Sequence, residues 1–255
     1  MTNAPLLKRL IPQADGKALD VIKICAAIFM VIAAAQESWL GTTAASRHSF
    51  EAAFGLAAFI LFCHAQAMAM LRHEPQQAAP RYALLKYGMR LGIIAVLVEP
   101  VSLFSRDIAV PNVLFALTLG AVFSGFCRKL KPVECYAAAA FLLLASTAAP
   151  PFETGLAGVA LPAMLLLAAQ GQRAAAAFAF AAIAMIALHG RLLDTTASMA
   201  DYEGAALQTV IGAALAMMVL QLSAFAPQTG RLLPKYALHV FYPLQMLALW
   251  ALFRL

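Results

Sequence analysis

The apolar residues of this chain fall into runs of about 17 to 23 residues separated by short polar clusters, the length a helix needs to cross a hydrocarbon core of roughly 30 Å. That pattern excludes most folds. A chain in lipid finds no water for its N–H and C=O groups, so each run must satisfy them internally, as a helix. Composition agrees: 63% of the 255 residues are hydrophobic, 12% are charged, and the mean hydropathy is +0.82, whereas a water-soluble domain is apolar over about half its residues. The chain therefore reads as all-α, a polytopic membrane protein with nine transmembrane helices. Their expected spans are 18–39, 50–71, 84–105, 109–127, 133–149, 154–170, 173–190, 204–226 and 234–253. Residues 1–17 read as a short cytoplasmic leader, because no small-residue cleavage site follows the first apolar run. Residues 18–255 read as one transmembrane domain.

Breakers separate the spans: the stretch from Arg72 to Arg81 with Pro75 and Pro80, Ala149-Pro150-Pro151, and Gln170-Gly171-Gln172. The net charge of +6 and pI near 9.3 are spread over many loops rather than gathered in a patch, so no nucleic-acid partner is expected. Placed on nine helices with a cytoplasmic N-terminus, the basic residues divide twelve to four in favour of the N-terminus and the even-numbered loops. Lys8, Arg9, Lys17, Arg72, Arg81, Lys86, Arg128, Lys129, Lys131, Arg173, Arg231 and Lys235 fall inside; Arg47, Arg106, Arg191 and Arg254 fall outside. This asymmetry orients the chain in a bacterial inner membrane with its C-terminus periplasmic.

An ionisable group in a spanning helix costs about 2.5–3.5 kcal/mol, so each one present asks for a partner or a purpose. Glu37 lies near the outer end of the first helix, Glu51 begins the second, Glu99 precedes Pro100 in the third, and Asn112 opens the fourth. If helices 1, 3 and 4 are neighbours, these groups converge on one polar pocket; carboxylates so near an interface also reach water unaided. Lys86 and Arg90 share a face of the third helix, a pair suited to the phosphates of a cytoplasmic ligand or of lipid headgroups. Lys23 is placed to snorkel. His64 is deep in the second helix, and His239, Tyr242 and Gln245 recur at three-residue steps as a polar stripe on the last. Cys25, Cys63, Cys127 and Cys135 match no zinc spacing, so no metal site is expected and free thiols are. No Gly-rich phosphate loop or nucleophile elbow occurs, and the residues alone name no reaction.

Several strings taken in order resemble the TraX family of integral membrane proteins. They are Ile22-Lys23 then Met30-Val31-Ile32; Ala53-Phe54; Lys86-Tyr87 with Arg90-Leu91 and Glu99-Pro100; Asn112-Val113-Leu114-Phe115 leading to Leu119-Gly120; Asp201-Tyr202; and Tyr242-Pro243-Leu244. The likeness runs from about residue 18 to the end, matched only by hydropathy over 130–195. Three places depart from the family pattern. Ala33-Ala34 stands where the first helix carries Asp-His, Glu51 and Gly55 where the second carries Arg and later Pro, and Gln245 where the closing helix carries His.

The resemblance implies a membrane protein of conjugative pili, whose F-type member acetylates the N-terminus of pilin. Carried onto this chain, it implies acetyl-CoA as co-substrate, bound by Lys86 and Arg90. Glu37, Glu99, Asn112, His239, Tyr242 and Gln245 would line the reaction centre, and the acceptor would be a pilin N-terminus or a similar group. Acetyl transfer to an amine needs a base and donors for the developing oxyanion. An Asp-His pair supplies that base and two alanines do not, so Glu37 or His239 would have to substitute. The second expectation is a catalytically inactive relative assisting pilus or secretion-system assembly, and the third is a small-molecule transporter. Expected partners are membrane lipid and a pilin or another pilus or secretion-system protein.

Overall fold

The computed structural model describes residues 14–40, 50–72, 88–99, 113–147, 154–188, 197–227, 229–234 and 237–254. Lys86 and Asn112 lie outside the described residues, as do the side chains of Glu37, Glu51, His239 and Tyr242. The described residues are helices joined by turns, with no strand among them. In chain order they form α1 (Gly16–Leu40), α2 (Phe50–Arg72), α3 (88–99), α4 (Val113–Cys127), α5 (Pro132–Ala145), α6 (Gly155–Ala169), α7 (Arg173–Ala187), α8 (Met199–Ser223) and α9 (Ala237–Arg254). The stretches Gly16–Ala35, Ala52–Arg72 and Met199–Ser223 are long and apolar enough to cross a membrane. Helices α4 to α7 are equally apolar but have 14 or 15 residues, about 21 to 23 Å at 1.5 Å per residue.

Local chemistry sets several ends more sharply than hydropathy does. Before α8, the Ser198 N–H and hydroxyl both donate to Asp201 Oδ2, at 2.6 and 2.7 Å, so the helix begins at Met199, about five residues ahead of the apolar run. Asp201 and Glu203, read from sequence as loop residues, are therefore helical. Before α5, Pro132 takes the first helical position and Glu134 Oε2 accepts the Lys131 N–H at 2.8 Å, a start suited to proline and a carboxylate. The same helix stops at Ala145, short of the expected 149. Between α6 and α7, Gly171 takes φ +94° while its N–H reaches Ala168 O and that of Gln172 reaches Leu167 O, at 2.9 and 3.1 Å, a glycine-closed helix end.

Two helices form the hub. All of α6 except Leu156 is buried, the signature of a helix surrounded on every side, and it packs on α7, α4, α2 and α5. Helix α2 is bordered by α1, α8 and α6. Small residues bring these backbones close. A Cβ on Gly120 of α4 would stand 2.8 Å from Pro162 Cγ and 3.2 Å from Val159 O, both of α6. One on Gly212 of α8 would stand 3.1 Å from Ala53 O of α2. On α3, Gly88 and Gly92 face Val122 and Thr118 of α4, leaving Met89, Ile93, Val96 and Leu97 exposed.

Cross-links show which ends lie together. The Ala18 N–H donates to Pro227 O at 3.2 Å, Arg72 pairs with Asp15, and Arg128 donates to Met70 O. Cys135 Sγ donates to Cys127 O at 3.1 Å, and Tyr136 donates to Gln172 Oε1 at 2.6 Å. The N-terminal approach to α1 and the α2, α4–α5, α6–α7 and α8–α9 ends thus share one face of the bundle. Lys17, Arg72, Arg128, Lys129, Lys131, Arg173 and Arg231 sit there, the same loops the charge asymmetry groups on one side.

Candidate functional site

The most organised polar group is at this basic end, and it is built around Asp20. Its carboxylate is 5% exposed and sits one turn into α1. There Oδ2 accepts the N–H groups of Leu232 and Leu233 at 2.9 and 3.2 Å. Lys23 Nζ is 3.7 Å from Oδ1. A buried carboxylate needs such donors, because an uncompensated charge away from water is costly. Asp20 therefore fastens the α8–α9 connection onto α1. Around it, the Lys17 stem packs on Gly230, whose φ of +81° shapes the turn, and the Arg231 charge acts on both Lys23 and Arg72.

Beyond Asp20, α1 and α9 rise side by side. Leu233 lies at the level of Asp20. Between the helices runs an open apolar groove of about 480 Å³, lined by Ile24, Ile28 and Ile32 on one side and Leu233, Ala237 and Phe241 on the other. Across it Ala237 and Phe241 face Ile24, Ile28 and Ile32, and Gln245 follows one turn beyond Phe241 on α9. Gln245 is 7% exposed, and neither its Nε2 nor its Oε1 finds a hydrogen-bond partner among the described residues.

Helix α1 also meets α2. A Cβ on Gly55 would stand 3.6 Å from Ala33 Cβ, ordinary contact between two residues that have almost no side chain. Two of the departures from the TraX pattern, at Ala33-Ala34 and Gly55, thus meet where α1 packs on α2, and the third, Gln245, is buried on α9. Where the family pattern has an acid–base pair, this chain has a close helix–helix contact and an amide. An amide donates and accepts hydrogen bonds but takes no proton at neutral pH, so Gln245 is able to hold a polar group or an oxyanion and unable to serve as the base.

The other expected residues distribute differently. Arg90 and Glu99 are half-buried on α3, a helix that packs on α4. His64 is fully buried within α2. Two positions on, Gln66 Nε2 donates to Leu117 O of α4 at 3.0 Å, a structural use of the amide. Among the described residues no group of three or more His, Cys, Asp and Glu is placed to hold a metal.

Asp20 was the residue that sequence reasoning passed over. Its signal was present: an acid inside the first apolar span with a lysine three residues later forms an i, i+3 pair. The two backbone donors come from more than 200 residues away and leave no local trace.

No curated protein and no solved structure matches the chain. A family model described as TraX protein matches residues 18–253. With nearly the whole chain inside that match, and the family's strings on α1, α2, α3, α4, α8 and α9, the protein belongs to the TraX family.

Proposed function

We propose that this protein serves a pilus system from a bacterial inner membrane by binding a partner, using the TraX scaffold without the family's acid–base pair. Family membership supports a pilus-related role, and the apolar helices make the chain a membrane protein. In this reading the nine helical segments cross the bilayer in alternation and the basic end faces the cytoplasm, where the excess of Lys and Arg belongs. The observation that carries it is the contact of Ala33 with Gly55, together with a buried Gln245 on α9 that has no partner among the described residues. The partner of that amide is a polar group of a pilin or of another pilus or secretion-system protein. The test places a photo-crosslinking residue at Ala34 and at Gln245 in cells assembling pili. A discrete adduct with a pilus component from these positions, absent from a lipid-facing control at Leu144, is expected; equal labelling at all three would overturn the reading.

The second reading, acetyl transfer from acetyl-CoA to a pilin N-terminus or similar acceptor, is favoured by Arg90 and Glu99. They stand at the family's spacing on a helix seated against α4, with Lys86 and Asn112 completing the string. It requires saturable acetyl-CoA binding by the purified protein in calorimetry. Arg90→Ala should then weaken that binding by about 1–3 kcal/mol, the scale of a charge-assisted hydrogen bond. Absence of binding at millimolar acetyl-CoA, with the protein folded, would remove acetyl transfer and leave the first reading standing.

A further inference from the structure

We propose that the cleft between α1 and α9 is a binding site for one anionic phospholipid, with an acyl chain along the apolar groove and the phosphate held at its basic mouth. The groove follows α1 from Ile24 to Ile32, a length of about 12 Å, and every residue lining it is apolar. Its mouth is defined by connected contacts. Leu233 lines the groove and donates its N–H to Asp20, Asp20 faces Lys23, and Lys23 immediately precedes Ile24.

The charge balance at that mouth selects the headgroup. Lys23 adjoins it, Arg231 is close enough to act on Lys23 and on Arg72, and the Lys17 stem lies against Gly230, with Asp15 and Asp20 as the carboxylates of the same cluster. Both carboxylates are already engaged. Asp15 pairs with Arg72 and accepts the Gly16 N–H, and Asp20 accepts two backbone N–H groups and faces Lys23. Among the described residues Lys17 and Arg231 form no ion pair, so the cluster carries two positive charges in excess. A phosphate with no cation of its own neutralises half of that excess, whereas a zwitterionic headgroup brings a further cation to the same mouth and neutralises none of it. A transmembrane helix of a partner, about 10 Å across, would cover the cleft without placing an anion among these cations. The proposal stands apart from acyl transfer and from pilin binding, and its failure would leave both untouched.

Native mass spectrometry of the full chain in mild detergent tests it, with dioleoylphosphatidylglycerol and dioleoylphosphatidylcholine offered in equal amounts. One phosphatidylglycerol retained in preference to phosphatidylcholine is expected. Lys17→Gln, half-buried, with Arg231→Gln, exposed, should cut that preference on the order of tenfold. Ile28→Trp fills the groove from a side chain that is 50% exposed and should release the lipid with every charge intact. Leu144→Trp, on the open face of α5, should not. Equal retention of the two lipids, or a phosphatidylglycerol preference that survives Ile28→Trp, would overturn the site. So would a peptide held in place of lipid.

Discussion

The seam between α4 and α6 and the seam between α1 and α9 are both apolar, but they are built from residues of different size and to opposite ends. At the first, Gly120 lies against Pro162 and Val159 with no room for a methyl group, and α6 is buried on nearly every face. At the second, large isoleucines stand beside an open cleft, and one turn further along α9 a buried glutamine finds no partner among the described residues. In lipid, burial of apolar surface does little to drive helices together, so close packing of small residues and polar contacts decide which seams close. The α4–α6 seam is closed by shape. The α1–α9 seam is held chiefly at one end, by Asp20, and stays open above it.

Breaking the closed seam should have the largest effect. Gly120→Val puts branched carbon where Pro162 Cγ already stands, and overpacking of this kind costs about 3 kcal/mol. We expect the unfolding midpoint in detergent to fall by many degrees. A drop no larger than that of Phe241→Ala in the open seam would erase the distinction between the two. Next comes the anchor. Asp20→Ala removes the acceptor of two backbone N–H groups and the counter-ion of Lys23, a loss of about 2 kcal/mol. Asp20→Asn, which keeps one acceptor oxygen, should recover part of it. Limited proteolysis should then cut the α8–α9 connection in Asp20→Ala first; unchanged cutting would show that the connection is held by something other than Asp20.

What sequence disclosed follows the range of the physics behind it. Apolar run length discloses helices, because each closes its own hydrogen bonds, and the expected spans coincide with the observed helices to within a few residues at most ends. Errors fall where local capping wins over hydropathy: Ser198 and Asp201 draw α8 back to Met199, and α5 ends at Ala145. The grouping of Arg72, Arg128, Arg173 and Arg231 at one end was legible because chain alternation alone produces it. The site was less so. Nothing local to Gln245 says that it is buried without a partner among the described residues, or to Gly55 that it meets Ala33 from α2. Those facts depend on helix pairing, which hydropathy leaves undetermined. Asp20 joins residues 212 and 213 positions apart, beyond the reach of any periodic pattern.

The smallest effects sharpen the comparison most, because two buried glutamines, each with an Oε1 unpaired among the described residues, differ in whether the amide nitrogen is paired. Gln66 is 3% exposed and donates to Leu117 O across the α2–α4 contact. Gln245 is 7% exposed with neither amide atom paired among the described residues. A leucine at 66 abandons a helix-to-helix hydrogen bond, which in membrane proteins averages about 0.6 kcal/mol, so Gln66→Leu should destabilise slightly. A leucine at 245 removes an amide whose burial without a partner costs about 1–3 kcal/mol, so Gln245→Leu should raise the unfolding midpoint while abolishing the cross-link to the pilus component. Opposite signs are the point: a residue kept at a cost to stability is kept for what it binds. If Gln245→Leu destabilised the isolated protein as Gln66→Leu does, Gln245 would be a packing residue with an internal partner, and the α1–α9 seam would differ from the core only in tightness.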